Sequence, residues 1–308
     1  MVWRSVVISQ PAKLRRDHYS LVIEQKEEAR VPFEDIAVIV LNNREIVLTH
    51  PVLSACGEYG IGLYSTSDNH QPNGVFVPFL SHSRATRMLR LQLAIDRPNA
   101  KRAWATIVKA KIDNQAACLR LSGLCDNPRE WKRLELVARR VRSGDSDNME
   151  AQASAYYFPV LFGKPFRRGP DGWINSALNY GYAVMRGVIA RGLVAHGLFP
   201  SIGLHHDSEQ NAFNLADDLI EPFRPLVDLH VAKNIPIGHS DRTELIPNDK
   251  VGLISLLNAD VRMPRGDMTV LAAVEQATES LVRFLDGDAE GELEMPSVIG
   301  LRQHRPEM

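Results

Sequence analysis

The hydrophobic pattern of this chain changes character once, near Pro78, and that change constrains the fold more than any other feature. Before it, apolar residues come in short β-branched runs: Val6-Val7-Ile8, Leu21-Val22-Ile23, the stretch 36–41 and Ile46-Val47-Leu48. Branched side chains suit a pleated, half-buried surface, so these runs predict strands. Asn42-Asn43 sits between two of them and predicts a hairpin turn; 67–69 and 71–74 predict a loop, and 51–58 a helix. Beyond Pro78, apolar residues recur three and four apart over 83–95, 100–112, 131–142, 151–157 and 174–196, which is the spacing of a helix face. A basic loop rich in proline and glycine interrupts them at 164–172. The expected fold class is α+β, with a small N-terminal β-domain over 1–80 followed by a larger, mostly α-helical domain over 81–285. Acids alternating with small residues near 286–294 predict a mobile, solvated tail over 286–308.

At 308 residues and 44% hydrophobic content, the chain has enough apolar material for a core in each part. No run approaches the roughly 20 apolar residues of a membrane span, and the N-terminus lacks the pattern of a secretory signal, so the expected location is cytoplasmic and away from membranes. Cys56, Cys118 and Cys125 form no paired spacing, which excludes a disulfide framework and a thiolate zinc site. Any metal site must therefore draw on carboxylates and histidines.

The formal net charge of −1 conceals an uneven distribution. Residues 81–191 carry 20 Lys/Arg against 9 Asp/Glu, a balance of +11, while 1–80 stand at −2 and 192–308 at −10. A positive field confined to the middle of the chain attracts phosphate backbones; solvated helix faces give the same count. Arg84, Arg87 and Arg90 recur every three residues and can stripe one helix, and Lys109, Lys111, Arg139, Arg140, Arg142, Lys164, Arg167 and Arg168 are further candidates for contact with DNA. Tyr157, Phe158 and Trp173 could stack on a base or belong to the core.

The most informative stretch is 200–225, which holds His205, His206 and five carboxylates. Asp218 and Glu221, spaced three apart on a helix leading to Pro222, repel each other unless a cation lies between them. A divalent ion or an arginine would serve, and carboxylates with an imidazole suit magnesium or manganese. Glu150 follows Asp147 by three residues ahead of a helical run, a pattern that also reads as a capping box with no metal role.

Glu150, Ala153 and Tyr156-Tyr157-Phe158, then 175–182, His206 and the run 218–225 occur in an order that resembles the CRISPR-associated spacer integrase, the near-universal first protein of CRISPR adaptation. The N-terminal 31–53 resembles its β-domain, 111–115 a helix of its catalytic domain, and 214–225 is closest to the versions found with type II systems. The resemblance implies that the helical domain is catalytic: an endonuclease and integrase, with Glu150, His206 and Glu221 as ligands of Mg²⁺ or Mn²⁺ and as the catalytic set. It selects His206 over His205 because the family's histidine precedes its last acid by fifteen residues, as His206 precedes Glu221. Asp218 and His205 become auxiliary candidates. Ala151 departs from the glycine that often follows the family's first glutamate. The implied partners are double-stranded DNA, a second copy in a homodimer, and a small ferredoxin-like second adaptation protein in a heterohexamer, with the effector nuclease and an accessory protein assisting. Two rival readings remain open: a DNA-binding architectural subunit without catalysis, and an unrelated metallohydrolase.

Overall fold

A computed structural model describes residues 4–66, 72–78, 82, 84–169, 172–235, 244–287 and 293–304. Its first part is strand-rich: β1 (Arg4–Ile8), β2 (Ala12–Asp17), β3 (Ser20–Glu24), β4 (Glu28–Pro32), β5 (Ile36–Leu41), β6 (Ile46–Leu48), α1 (His50–Glu58), β7 (Gly62–Thr66) and β8 (Pro72–Phe76). They form two four-stranded sheets, ordered β4-β3-β2-β6 and β1-β5-β7-β8. The first sheet follows the alternating rule: Ala12 and Leu14 are buried while Lys13 between them is exposed. β5 breaks it, with Ile36 to Val40 all buried, as befits a strand lying parallel to β1 and β7 and covered on both faces.

That burial explains the failure of one expectation. Asn42-Asn43 does not close a hairpin, because β5 belongs to one sheet and β6 pairs with β2 in the other. The chain crosses between layers at this point, and the amide of Asn42 donates to Ile8 O (2.9 Å). Ile36 and Ile39 of β5 face a small core under α1, while Ala37, Val38 and Val40 join the large core of the helical part. Of the loop predicted over 67–69 and 71–74, residues 67–69 and Gln71 lie outside the described residues, while 72–74 begin β8, paired antiparallel with β7.

The helical part comprises α2 (Ala85–Ala94), α3 (Arg97–Ser122), α4 (Pro128–Ala138), α5 (Met149–Phe162), α6 (Trp173–Ala195), α7 (Asn214–Leu219), α8 (Arg224–Lys233), α9 (Pro247–Ser255) and α10 (Val270–Leu285). α3 begins where Asp96 Oδ1 accepts the amide of Asn99 (2.7 Å) and ends at Gly123 in a left-handed conformation (φ 72°). It runs ten residues beyond the expected end at 112 because its polar middle is buried rather than solvated. Asn114 lies 2% exposed, and its amide donates to Pro222 O (2.7 Å) and Pro296 O (2.8 Å) while its carbonyl accepts the Val298 amide (3.0 Å). No helix among the described residues is long and apolar enough to cross a membrane.

The expectation of a mobile tail over 286–308 is corrected by β11 (Ser297–Gln303), which pairs antiparallel with β9 (Ala259–Met263) beside β10 (Gly266–Thr269). Composition suggested solvation, but Leu293 and Val298 enter the large core and Arg283 binds Glu294 (2.6 Å). Asn114 closes this clasp. Asn114→Ala removes one buried donor pair and one acceptor and leaves two carbonyls and an amide without partners. Urea unfolding should show a loss of about 2–4 kcal/mol; a change below about 0.5 kcal/mol, the scatter of neutral surface substitutions, would contradict the clasp.

Candidate active site

Glu150 occupies the first turn of α5, and the structure separates the two readings of it. The cap is supplied by Asp145, whose carboxylate accepts the amides of Met149 (2.8 Å) and Glu150 (3.0 Å). Asp145 and Asn148, at φ 49° and 53°, turn the chain sharply into the helix. Asp147 faces Arg142 instead (3.5 Å), so no capping box forms and the Glu150 carboxylate is released for other contacts.

It meets Lys111. The Lys111 ammonium lies 2.6 Å from Glu150 Oε1 and also makes a close ion pair with Glu221 Oε2. Lys111 therefore corrects the expectation that it contacts DNA: its side chain is 9% exposed, against 4% for Glu221 and 26% for Glu150. Burial pulls the Lys111 pKa down, but Glu221 and Glu150 outweigh it and the net shift is upward. Burial likewise pushes Glu221 up, while Lys111 and Arg224 more than reverse it. Arg224 reaches Glu221 Oε1 at 3.3 Å and lies over the Tyr182 ring. Glu221 Oε2 is buried and, apart from that ion pair, receives no hydrogen bond of good geometry. It is an acceptor whose cation here is the Lys111 ammonium.

The histidine loop is held by Asp218. This fully buried carboxylate accepts the amides of Leu204 (2.6 Å), His205 (3.1 Å) and His206 (3.1 Å), and its Oδ1 bonds His206 Nδ1 (2.7 Å). α7 ends at Leu219, short of the helix expected to lead up to Pro222, and Glu221 follows in the turn before α8. A carboxylate only accepts, so Nδ1 carries the proton and the neutral ring presents Nε2 outward. Gly203 makes this wrapping possible: a Cβ there would stand 2.2 Å from His206 O and 3.0 Å from Asp218 Oδ2. Beneath the loop, buried Trp104 of α3 stacks on His205 with centroids 4.1 Å apart and an interplanar angle of 2°. The ring of His206 meets Trp104 edge-on at 5.7 Å.

A second buried carboxylate ties the supporting helices together. Asp228 of α8 accepts from Tyr157 Oη of α5 (3.0 Å) and from Tyr182 Oη of α6. Burial pushes its pKa up to about 6 against the opposing effect of these bonds. Tyr157 and Trp173 are thus core residues, Trp173 donating to Asp249 (3.1 Å), while Phe158 is half-buried near Phe162 and Phe166. Arg84 and Arg90 are exposed, but Arg87 grips Asp286 through two short contacts (2.6 and 2.8 Å). Arg167 bonds the carbonyls of Lys164 and Phe166, and Arg168 is oriented by Asn175 (2.7 Å) and Asn179 (2.8 Å).

Of the expected site residues, Glu150 and Glu221 meet through Lys111, and His206 stands near enough for Glu221 to raise its pKa. Among the described residues no three His, Cys, Asp or Glu side chains are closely enough grouped to enclose a metal by themselves. The donor set nonetheless fits Mg²⁺ or Mn²⁺: two carboxylates, one lacking a good hydrogen-bond donor, and an imidazole that meets Asp218 through Nδ1 and so leaves Nε2 as its ligating atom. Lys111, Arg224 and Trp104 were not singled out for these roles from sequence. A lysine four positions before Gln115 in a polar helix segment was visible, but its burial was not.

The profile of the family described as CRISPR associated protein Cas1 matches residues 5–255. The CRISPR-associated endonuclease Cas1 of Neisseria meningitidis serogroup C (strain 8013) is 41% identical over 308 residues, covering all of both chains. A CRISPR-associated endonuclease Cas1 of Pyrobaculum aerophilum is 25% identical over 74% of this chain and 81% of its own. Among solved structures, a casposase bound to an integration product superposes with a TM-score of 0.71 at 17% identity, over 99% of this chain and 94% of that one. A Cas1 protein from Thermotoga maritima superposes at 0.70 and 17% identity, over 92% and 97%.

The Asp218 bond raises the His206 pKa, against an opposing effect of burial. A histidine whose folded pKa exceeds its unfolded value adds stability that is complete below about pH 6.5, the unfolded value, and fades as pH rises through the folded one. Because His206 is 42% exposed, solvent screens much of the effect. In urea unfolding, wild type should lose stability relative to His206→Gln as pH rises above about 6.5. A difference that grows with pH would refute the assigned bond.

Proposed function

This chain belongs to the CRISPR associated protein Cas1 family, and from that membership we propose that it is a metal-dependent DNA endonuclease and integrase of CRISPR adaptation. The observation that carries the reading is the convergence of Glu150 and Glu221, from two separate elements, on one buried positive charge beside an oriented imidazole. Glu150, His206 and Glu221 would hold Mg²⁺ or Mn²⁺. Such an ion stabilises negative charge on phosphoryl oxygens and lowers the pKa of an oxygen nucleophile, which is the chemistry needed for a DNA 3′-hydroxyl to attack a phosphodiester or for water to hydrolyse it.

The chain's own residues do the positioning. Asp218 fixes the ring plane and tautomer of His206, and Trp104 supports the loop from below through His205. His205 is therefore a spacer whose ring is already engaged. Arg224 neutralises part of the Glu221 charge and keeps that carboxylate ionised in a buried setting. Asp228 locks α5 to α8 and so fixes the distance between the elements bearing Glu150 and Glu221.

Arg84, Arg87, Arg90, Arg167 and Arg168 would contact the phosphates of duplex DNA, with Arg168 the best oriented of the five. The proposed assembly is a homodimer that clamps a small ferredoxin-like second adaptation protein in a heterohexamer, assisted by the effector nuclease and an accessory protein. Solved relatives include a Cas6-RT-Cas1–Cas2 complex, and in another case Cas1 with DNA.

Purified protein with its small partner and Mn²⁺ should join a 3′-hydroxyl oligonucleotide to supercoiled DNA. Chelation or Glu150→Ala should lower the rate by about a hundred- to a thousandfold, the scale of losing an electrostatic catalytic group; activity without metal would favour an unrelated chemistry, and DNA binding without any joining would favour an architectural subunit. His206→Ala should weaken Mn²⁺ binding about 10–100-fold and His205→Ala much less; the reverse order would reassign the ligand. DNA affinity should fall steeply with salt, and a flat titration would leave the five arginines unengaged.

A further inference from the structure

The two carboxylates proposed as metal ligands touch the same nitrogen atom. Lys111 Nζ is 2.6 Å from Glu150 Oε1 and in closer contact still with Glu221 Oε2. An ion bound by both carboxylates must lie where their oxygens converge, and the ammonium lies there. Two cations cannot share that position, since they exclude each other sterically and repel across a few ångströms of poorly screened interior.

Charge balance sharpens the conflict. Without metal, the Glu150 and Glu221 carboxylates are matched by the Lys111 ammonium and the Arg224 guanidinium, which also touches Glu221 (3.3 Å). A divalent ion added to that set leaves uncompensated positive charge in a buried place, which is costly. Arg224 is held over the Tyr182 ring, whereas Lys111 carries a single ammonium on a flexible four-carbon stem. The cluster opens to solvent on the Glu150 side, where that side chain is 26% exposed. Of the two cations, Lys111 is the one that touches both acids, so it is the one an ion bound by both must displace.

We propose that Lys111 is an exchangeable counter-cation: its ammonium occupies the place between Glu150 and Glu221 that a divalent ion takes, and metal loading moves it out. The inference rests on the reading of Glu150, His206 and Glu221 as metal ligands. Lys111 is then a positioning residue. It holds the two acidic side chains in their binding geometry before the metal arrives, which two bare, mutually repelling carboxylates could not do alone.

Two measurements on the full chain test this, neither of them an activity. The first is Mn²⁺ affinity, read as free Mn²⁺ by electron paramagnetic resonance. If Lys111 occludes the site in about 90% of molecules, Lys111→Met should bind Mn²⁺ about tenfold more tightly than wild type. Unchanged or weaker binding overturns the exchange. The second uses wild-type protein, so it does not depend on the variant folding: lysines are acetylated briefly with and without Ca²⁺ or Mn²⁺, and modification is mapped by mass spectrometry. Labelling of Lys111 should rise severalfold with metal while other lysines stay constant. Constant or reduced labelling of Lys111 shows an ammonium that stays in place beside the metal, and the proposal fails even if Lys111→Met binds Mn²⁺ more tightly. A wild type that binds no Mn²⁺ removable by Glu150→Ala would instead overturn the ligand assignment, and with it the exchange.

Discussion

The buried ion cluster of Lys111, Glu150, Glu221 and Arg224 sets the terms for everything around it. Charges taken out of water are tolerated only when each finds an opposite partner at close range, and removing any one leaves the others exposed to a low-dielectric interior. The members come from α3, the first turn of α5, the turn between α7 and α8, and the first residue of α8. These elements must therefore be held in a fixed relation to one another for the pairs to stay within contact distance. Much of the remaining architecture meets that demand: the Asp228 bonds to Tyr157 and Tyr182, and the grip of Asn114 on Pro222 O, immediately after Glu221.

The Asp218 carboxylate applies the same principle to a loop. A segment of glycine, histidine and aspartate has no regular hydrogen-bond ladder of its own, and three of its amides find their acceptor in one buried side chain. Backbone and imidazole are held together, so the direction of Nε2 is as well defined as if it projected from a helix. Where Glu150 is fixed by a helix terminus, His206 is fixed by a carboxylate that mimics one.

What could be read in the sequence follows from what was periodic. The helical stretches and the β-branched runs announced themselves, because each must keep one face apolar along its length. Sites where polar residues are buried were misread. The helical pattern was followed only to 112, yet Asn114 and Gln115 beyond it are interior, and 286–308 looked like solvent-seeking chain yet supplies β11. The hairpin at Asn42-Asn43 failed because local turn chemistry says nothing about which sheet the next strand joins. At the site, Glu150, His206, Glu221 and Asp218 were named by family resemblance, but Lys111 entered only as one basic residue in a field. Charge counting could not distinguish a lysine facing solvent from one enclosed by acids contributed from positions 39 and 110 residues later in the chain.

The Asn114 clasp has a consequence for how such a chain comes into being. Its contacts to Pro296 and Val298 span 182 and 184 residues, so they close only after the chain has been made through Val298. Asn114 stands one helical turn from Lys111, on the same side of α3. A nascent chain that has not yet reached Pro296 thus carries an unfinished helix contact next to its acidic cluster. The acidic cluster therefore gains a neighbouring contact late, only once β11 has docked beside α3.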